Sequence, residues 1–529
     1  MKKRFMAIIL CFGMLAGLMT GCTKSTDGAK EETAVKTEDK KEEVKKSSGD
    51  LTKLSVFINM PWYQVDSFTG KIPDKIKEIT GADLDVTIAT DENQLGVIIA
   101  SGEMPDLIYT DDSGGVLSSL SNPDVCYSLN ELTQETGVEF KDSENYNDRN
   151  KIAQTFSKDG SAYTLLNSYN TKEQWETMKV GAPGQACIYY RKDLLEGANL
   201  KVPTNLNEFY DCLGKLKEAY PDITPFGLGG YWKLQAIANW TGVSADQYNP
   251  ESGEYKYWSS TESYKDYLKY SNDLYRQGFI SVEDYAVENE ADGDQMAYNN
   301  GCVFYSGYLV RHNMNNLQIH AVDKNAEWAA LNPLGEVPIG DNKGWAGVFV
   351  SKNCKELKAA ATLVSYLNSV EGSRLAVWGI EGDDYTLNDE GVPVFSENYL
   401  AIRNDRDKWN KEYNTLFNFG SSAFGEIYGN YSGVDEETLS QFTPYAKGYK
   451  NYPEIGIAAP LTTSDEGIIK IKLEELKKKY EAKVIFTDSD EAFESAYNEY
   501  MDANKKTGID KYNEYMTKRI AKVKADLGF

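Results

Sequence analysis

Histidine occurs only twice in this chain, at His312 and His320, which leaves almost no material for a His-ligated metal centre or a histidine-based triad. Cysteine is scarce as well. After Cys22 only Cys126, Cys187, Cys212, Cys302 and Cys354 follow, and no two stand in C-x-x-C spacing. Five thiols without metal-like spacing argue against both a disulfide framework and a zinc site. The chain has no H-E-x-x-H, no P-loop, no G-x-S-x-G elbow and no dinucleotide fingerprint. Positive charge is short: 56 Lys+Arg face 81 Asp+Glu, a formal charge of −25 that repels phosphate backbones and excludes a nucleic-acid partner. Long apolar runs are also missing, because the longest, Phe5 to Met19, is too short and wrongly flanked to span a bilayer.

What the chain does have is aromatic surface. Tyr occurs 36 times and Trp 9 times in 529 residues, more than core packing ordinarily needs. With 41% hydrophobic and 26% charged residues, the composition is that of a globular protein of two or three domains. Lys2, Lys3 and Arg4 precede the apolar run, and Thr20-Gly21-Cys22 closes it, so residues 1–21 read as a signal peptide. From Thr23 to Asp50 there are seven Lys, eight acids and no aromatic residue, a composition that cannot bury enough surface to fold. Residues 22–50 therefore read as a tether with a reach of about 30 Å.

The folded body starts with an alternating strand at Leu54–Ile58. A helix over Ile72–Ile79 ends at Gly81, a strand follows at Leu84–Ile88, a helix over Gln94–Ala100 ends at Gly102, and a strand covers Pro105–Thr110. This alternation predicts an α/β fold with a parallel sheet, whose ligand crevice lies beyond the carboxyl ends of the strands. Further strands are expected at Ala186–Tyr190 and Gly347–Val350. Helices are expected after Pro203, with Thr204 as N-cap, over Leu357–Leu367, and through most of the chain from Asp465 onward. Gly227 to Trp232 reads as a flexible loop bearing two aromatics.

Several segments together resemble the extracellular solute-binding proteins of ABC importers, in particular the large carbohydrate-binding lipoproteins of Gram-positive bacteria. They are Gly102-Glu103-Met104-Pro105-Asp106-Leu107-Ile108-Tyr109, Tyr189 to Leu195, Val202-Pro203-Thr204, Asn300-Gly301-Cys302-Val303, Trp378 to Leu387 and Lys506 to Tyr512. Thr20-Gly21-Cys22 likewise resembles a lipobox, which implies lipidation at Cys22 and an anchor on the outer face of the cell membrane. The resemblance implies a two-lobed periplasmic-binding-protein-like fold with hinge crossovers and a helical C-terminal region. Residues 51–185 would form lobe 1, with 331–370 returning to it, and residues 186–330 lobe 2, with much of 371–529 packing on lobe 2 and the hinge. It further implies a monomer that binds a saccharide, delivers it to permease subunits and needs no cofactor. A more distant likeness to the maltose-binding protein places ligand contacts at Thr110, Asp111 and Asp112, at Tyr231 and Trp232, and at Tyr308. Some relatives carry a calcium loop where this chain has Ala219 to Phe226; the single carboxylate there, Asp222, is too few for calcium.

A sugar presents apolar C–H faces and a rim of hydroxyls, so its site needs flat aromatic platforms beside planar polar groups. Trp62, Asp111, Asp112, Tyr231, Trp232, Tyr308, Trp345 and Trp378 are the candidates, each at a strand end or in a Gly-containing loop. Any one of these tryptophans could instead pack in a core, and the aspartates could serve as turn residues. Trp240, Trp258 and Trp328 sit in more regular contexts and are assigned to the core. Tyr255-Lys256-Tyr257-Trp258 reads as edge packing, with a polysaccharide-binding surface as the alternative. Rival functions are a peptide-binding protein, a surface adhesin or sensor partner, and a glycoside hydrolase using two carboxylates.

Overall fold

The computed structural model describes residues 51–528, apart from 64–65, 92, 113–114, 182–184, 404–407, 415–418, 432 and 435. Cys22, the signal peptide and the tether lie outside the described residues. Among the described residues no helix is long and apolar enough to cross a membrane.

Two four-stranded sheets organise the chain. In the first, β1 (Thr52–Ile58), β2 (Ala82–Ile88) and β3 (Leu107–Asp111) are parallel, and β9 (Ala346–Val350) closes the order β2-β1-β3-β9. The helices joining these strands, Lys71–Thr80 and Gln94–Ser101, both stop at a glycine in the left-handed region, Gly81 and Gly102, as the sequence predicts. The all-parallel expectation needs correction, because β9 runs antiparallel to β3. Successive side chains alternate between two buried faces. Leu54, Val56, Ile58, Leu107, Tyr109 and Val348 enter one core, while Phe57, Ile108 and Phe349 enter another. Each such large apolar side chain contributes about 1.5–3 kcal/mol on burial.

The second sheet has the order β5-β6-β4-β7, built from β4 (Ala186–Arg191), β5 (Thr224–Gly227), β6 (Cys302–Tyr308) and β7 (Trp328–Ala330). Ile188, Phe226 and Phe304 face a core shared with the helix Leu206–Ala219. That helix is capped by Asn205, whose Oδ1 accepts from the Glu208 amide. Thr204, the expected cap, lies one residue earlier and instead donates its hydroxyl to the Glu208 carboxylate. Cys187, Tyr189, Tyr305 and Trp328 face the opposite core. All five described cysteines are free and buried.

Short strands mark the passages between the lobes. β8 (Ile339–Gly340) pairs in parallel with β12 (Lys450–Asn451), while β10 (Tyr385–Leu387) and β11 (Pro393–Phe395) form a separate hairpin. The C-terminal region divides differently from expectation. Leu375, Ala376, Tyr399, Ile402 and Trp409 pack in the first lobe's core, not the second's, because the helix Val370–Trp378 directly continues the lobe 1 helix Leu357–Asn368. Helices Ala423–Asn430 and Glu436–Gly448 cover the second sheet's cysteine-bearing face, and Asp465–Ile485 with Asp490–Thr507 joins the core on its other side, packing against the helix Tyr264–Arg276. The last helix, Ile509–Leu527, returns to the core containing Phe57, Ile108 and Phe349. Tyr255 and Tyr257 are buried against Tyr512 of that helix, so this segment is packing surface. Trp240 and Trp328 are core residues, as assigned.

One carboxyl stands out in the second lobe. Glu481 is buried and accepts a 2.7 Å hydrogen bond from the Tyr264 hydroxyl. Burial raises its proton affinity above the ordinary value of 4.5, against the opposing pull of Lys477 and that hydrogen bond. A carboxyl raised in the folded state stabilises fully below its unfolded value, and the contribution is lost as pH climbs through the folded value. Glu481→Gln is therefore expected to gain stability relative to the parent chain as pH rises above about 4.5. Denaturant melts across pH measure this, and a pH-independent difference between the two proteins would refute the assignment.

Candidate ligand-binding site

Strand direction brings the candidate residues to two edges. The carboxyl ends of β1 and β3 and the amino end of antiparallel β9 share one edge of the first sheet. Trp62 follows β1, Asp111 and Asp112 close β3, and Trp345 precedes β9, so residues distant in sequence converge there. The rings of Trp62 and Trp345 lie 6.1 Å apart, centroid to centroid. Tyr63 and Tyr109 back them, Tyr109 at 6.3 Å from Trp345 and itself in contact with Phe419 at 4.5 Å. Trp62 is 62% exposed, an unusual state for a tryptophan that already has aromatic neighbours. Its open face looks onto solvent at this edge.

Polar groups border the rings. Asp112 holds the Lys343 ammonium at 2.8 Å. Asn59, at the end of β1, donates from Nδ2 to the Thr110 hydroxyl and leaves its buried Oδ1 without a partner among the described residues. The Trp345 indole N–H donates to the Ser168 hydroxyl at 2.9 Å, and that hydroxyl donates in turn to the Glu426 carboxylate. Ser421 donates to the other Glu426 oxygen at 2.6 Å, and the Ser168 amide donates to the Ser421 carbonyl. Ser168, Trp345 and Ser421 lie on three separate passages between the lobes. Ser168 sits at φ 55°, a conformation rare outside glycine, held by these three bonds.

The second sheet supplies the other wall by the same logic. Parallel β5 and β6 deliver their carboxyl ends together, and Tyr308 pairs with Ala186, the first residue of antiparallel β4. After β5 the chain turns through Gly229 and Gly230 into a short 3-10 helix, Tyr231–Leu234, where a flexible loop was expected. Gly230 has φ 140°, and the Trp232 ring lies 2.8 Å from where a Cβ would stand, so no other residue fits beneath that ring. The Asp284 carboxylate accepts from the Leu228 and Gly229 amides at 2.5 and 2.7 Å and fixes the turn. Burial raises the proton affinity of Asp284, and these two amides oppose the shift. Tyr231 and Trp232 meet edge to face at 5.2 Å, and both remain half-buried.

Behind this wall lies a buried ion pair. The Lys233 ammonium stands 3.2 Å from Asp294 and 3.0 Å from the Tyr305 hydroxyl, which donates to the same carboxylate. Lys233 also faces the Tyr308 ring at 5.6 Å. The structure thus groups Trp62, Asp111, Asp112 and Trp345 at one edge and Tyr231, Trp232 and Tyr308 at the other. Trp378 belongs to neither. It is fully buried at the end of the helix Val370–Trp378, donates its indole N–H to the Gly425 carbonyl at 2.7 Å and packs on Tyr385. Its Gly-rich context marks a helix end at Gly379, and the ring is a core residue. Sequence reading misses Tyr109, Ser168, Lys233, Asp284 and Asp294, and puts Tyr63 at a strand end without making it a candidate. Only Tyr63 carries a signal, its place beside Trp62; the others act through partners far away in the chain.

Residues 74–379 match the family described as bacterial extracellular solute-binding protein. The polygalacturonan/rhamnogalacturonan-binding protein YtcQ of Bacillus subtilis (strain 168) is 25% identical over 413 residues, covering 74% of this chain and 75% of the relative. Lipoprotein LipO of the same organism is 24% identical over 435 residues, covering 76% and 77%. Among solved structures, the alginate-binding protein AlgQ2 without calcium superposes with a TM-score of 0.65 at 16% identity, covering 90% of this chain and 99% of that one. The substrate-binding protein FusA of Streptococcus pneumoniae, in complex with kestose, gives 0.62 at 15% identity, covering 90% and 100%. These two structures share the two-lobed fold with this chain.

Proposed function

We propose that this chain, which belongs to the bacterial extracellular solute-binding protein family, captures a sugar or oligosaccharide between its two aromatic walls and delivers it to the permease subunits of an ABC importer. The observation that carries the reading is the 62% exposed Trp62 ring beside Trp345, facing solvent at the strand edge from which the chain crosses to the other lobe. Flat rings of this kind suit the apolar faces of a sugar, and the bordering Asp111 and Asp112 suit its hydroxyls. The names of relatives point the same way: YtcQ is described as binding polygalacturonan and rhamnogalacturonan, and FusA is solved with kestose.

Capture proceeds by closure. A ligand touching both walls binds the closed form better than the open one and shifts the population by that difference. The protein works as a monomer and changes no covalent bond, and lipid on Cys22 holds it at the outer face of the cell membrane with residues 22–50 as spacer. Intrinsic fluorescence tests the reading directly, since a sugar stacking on tryptophan changes emission saturably. Trp232→Ala is expected to weaken binding by at least ~1 kcal/mol with the fold intact. An unaltered dissociation constant would remove Trp232 from the site, and a response to peptides with none to any sugar would overturn the reading as a whole.

A further inference from the structure

The chain carries a formal charge of −25, yet the helix Asp465–Ile485 presents three lysines in succession, Lys477, Lys478 and Lys479. Lys477 is engaged by the Trp258 ring, 4.3 Å from its ammonium, and by the buried Glu481. Lys478 is exposed and points elsewhere. Its Nζ lies 5.5 Å from the centre of the Tyr231 ring, and no carboxylate stands within ion-pair distance among the described residues. A lysine ammonium therefore stands against each of two tyrosines of the second wall, Lys478 at Tyr231 and Lys233 at Tyr308. The two differ in one respect: Asp294 neutralises Lys233, whereas Lys478 keeps its charge beside the platform.

We propose that the second wall takes an acidic sugar unit, a hexuronate within an oligosaccharide, whose ring lies against Tyr231 and whose carboxylate is met by Lys478. The inference rests on the sugar-capture reading above and narrows its substrate class. A carboxylate at the edge of a stacked sugar ring reaches the flexible lysine stem, while the hydroxyls keep their partners elsewhere. The net charge of −25 gives an anionic ligand no long-range attraction, so a cation at the point of contact is what favours it.

Calorimetric titration of the whole folded chain with oligogalacturonate and oligomannuronate, each beside its methyl-esterified form and a neutral oligosaccharide panel, separates the possibilities. Esterification removes the charge and keeps the sugar backbone. The expected result is tighter binding of at least one acid form than of its ester, with the advantage shrinking as salt is added. Lys478→Gln should weaken the acid form about three- to fivefold, the range of an exposed ion pair, and leave the ester unchanged. Lys472→Gln, on the same helix, serves as the control and should alter neither. Esters or neutral sugars that bind as well as the acids, or an acid form indifferent to Lys478→Gln, would overturn the acidic-unit proposal and leave sugar capture standing. Binding of no saccharide at all would overturn both.

Discussion

Asp294→Ala is expected to cost the second lobe about 3–5 kcal/mol, the penalty for stranding one member of a buried ion pair. Lys233 and Asp294 are 3% and 6% exposed, and the Tyr305 hydroxyl is a further hydrogen-bond partner of the ammonium. Removing the carboxylate leaves a desolvated charge behind Tyr308 and frees the Tyr305 hydroxyl as well. The wall should lose order together with the lobe, so sugar affinity falls alongside the denaturation midpoint. A double variant, Lys233→Met with Asp294→Leu, removes both charges and keeps apolar volume; it should recover most of the stability, since apolar replacement of a whole buried pair is often neutral or better. Chemical denaturation of the three proteins decides the matter. An Asp294→Ala protein as stable as its parent would mean that water reaches the pair and that the wall is not built on it.

The second large effect is expected at the first wall. Trp345→Ala removes a half-buried indole that contacts Trp62 and Tyr109 and donates to Ser168. Binding should weaken by at least about tenfold, roughly 1.4 kcal/mol, with a modest loss of stability from the emptied space. Trp62→Ala should weaken binding comparably while leaving the denaturation midpoint almost untouched, because a ring 62% exposed contributes little to the fold. That contrast is diagnostic: a tryptophan whose loss spares stability but lowers affinity serves the ligand. Trp345→Phe keeps a smaller aromatic ring and loses the N–H, so it tests whether a ring alone, without the Ser168 bond, sustains binding. Unchanged titration curves for Trp62→Ala and Trp345→Ala would remove the first wall from the site.

Much of this arrangement is legible in the residues. The glycine stops at Gly81 and Gly102 and the alternating run Leu54–Ile58 announce a strand-helix-strand unit, and its strand ends locate the first edge. Seven of the eight candidate side chains stand at the two edges because strand ends are where a sheet presents its neighbours. Trp378 fails for a physical reason: glycine after tryptophan marks a helix end as readily as a loop, and burial of the ring depends on Gly425, 47 residues away. Lys233, Asp284 and Asp294 are unreadable because their roles rest on tertiary pairing alone. The antiparallel course of β9 is hidden likewise, since a five-residue apolar strand carries no mark of direction.

The route of the chain has a further consequence. The first lobe holds Leu54 near the start of the folded body and Val523 near its end, because the helix Ile509–Leu527 joins the core beneath Phe57 and Ile108. Early residues thus wait for residues about 450 positions later, with the whole second lobe threaded in between. A chain still lacking the helix Ile509–Leu527 leaves the apolar side of the helix Pro453–Ala458, and with it the outer part of that core, without its packing partner, so this part of the lobe closes late.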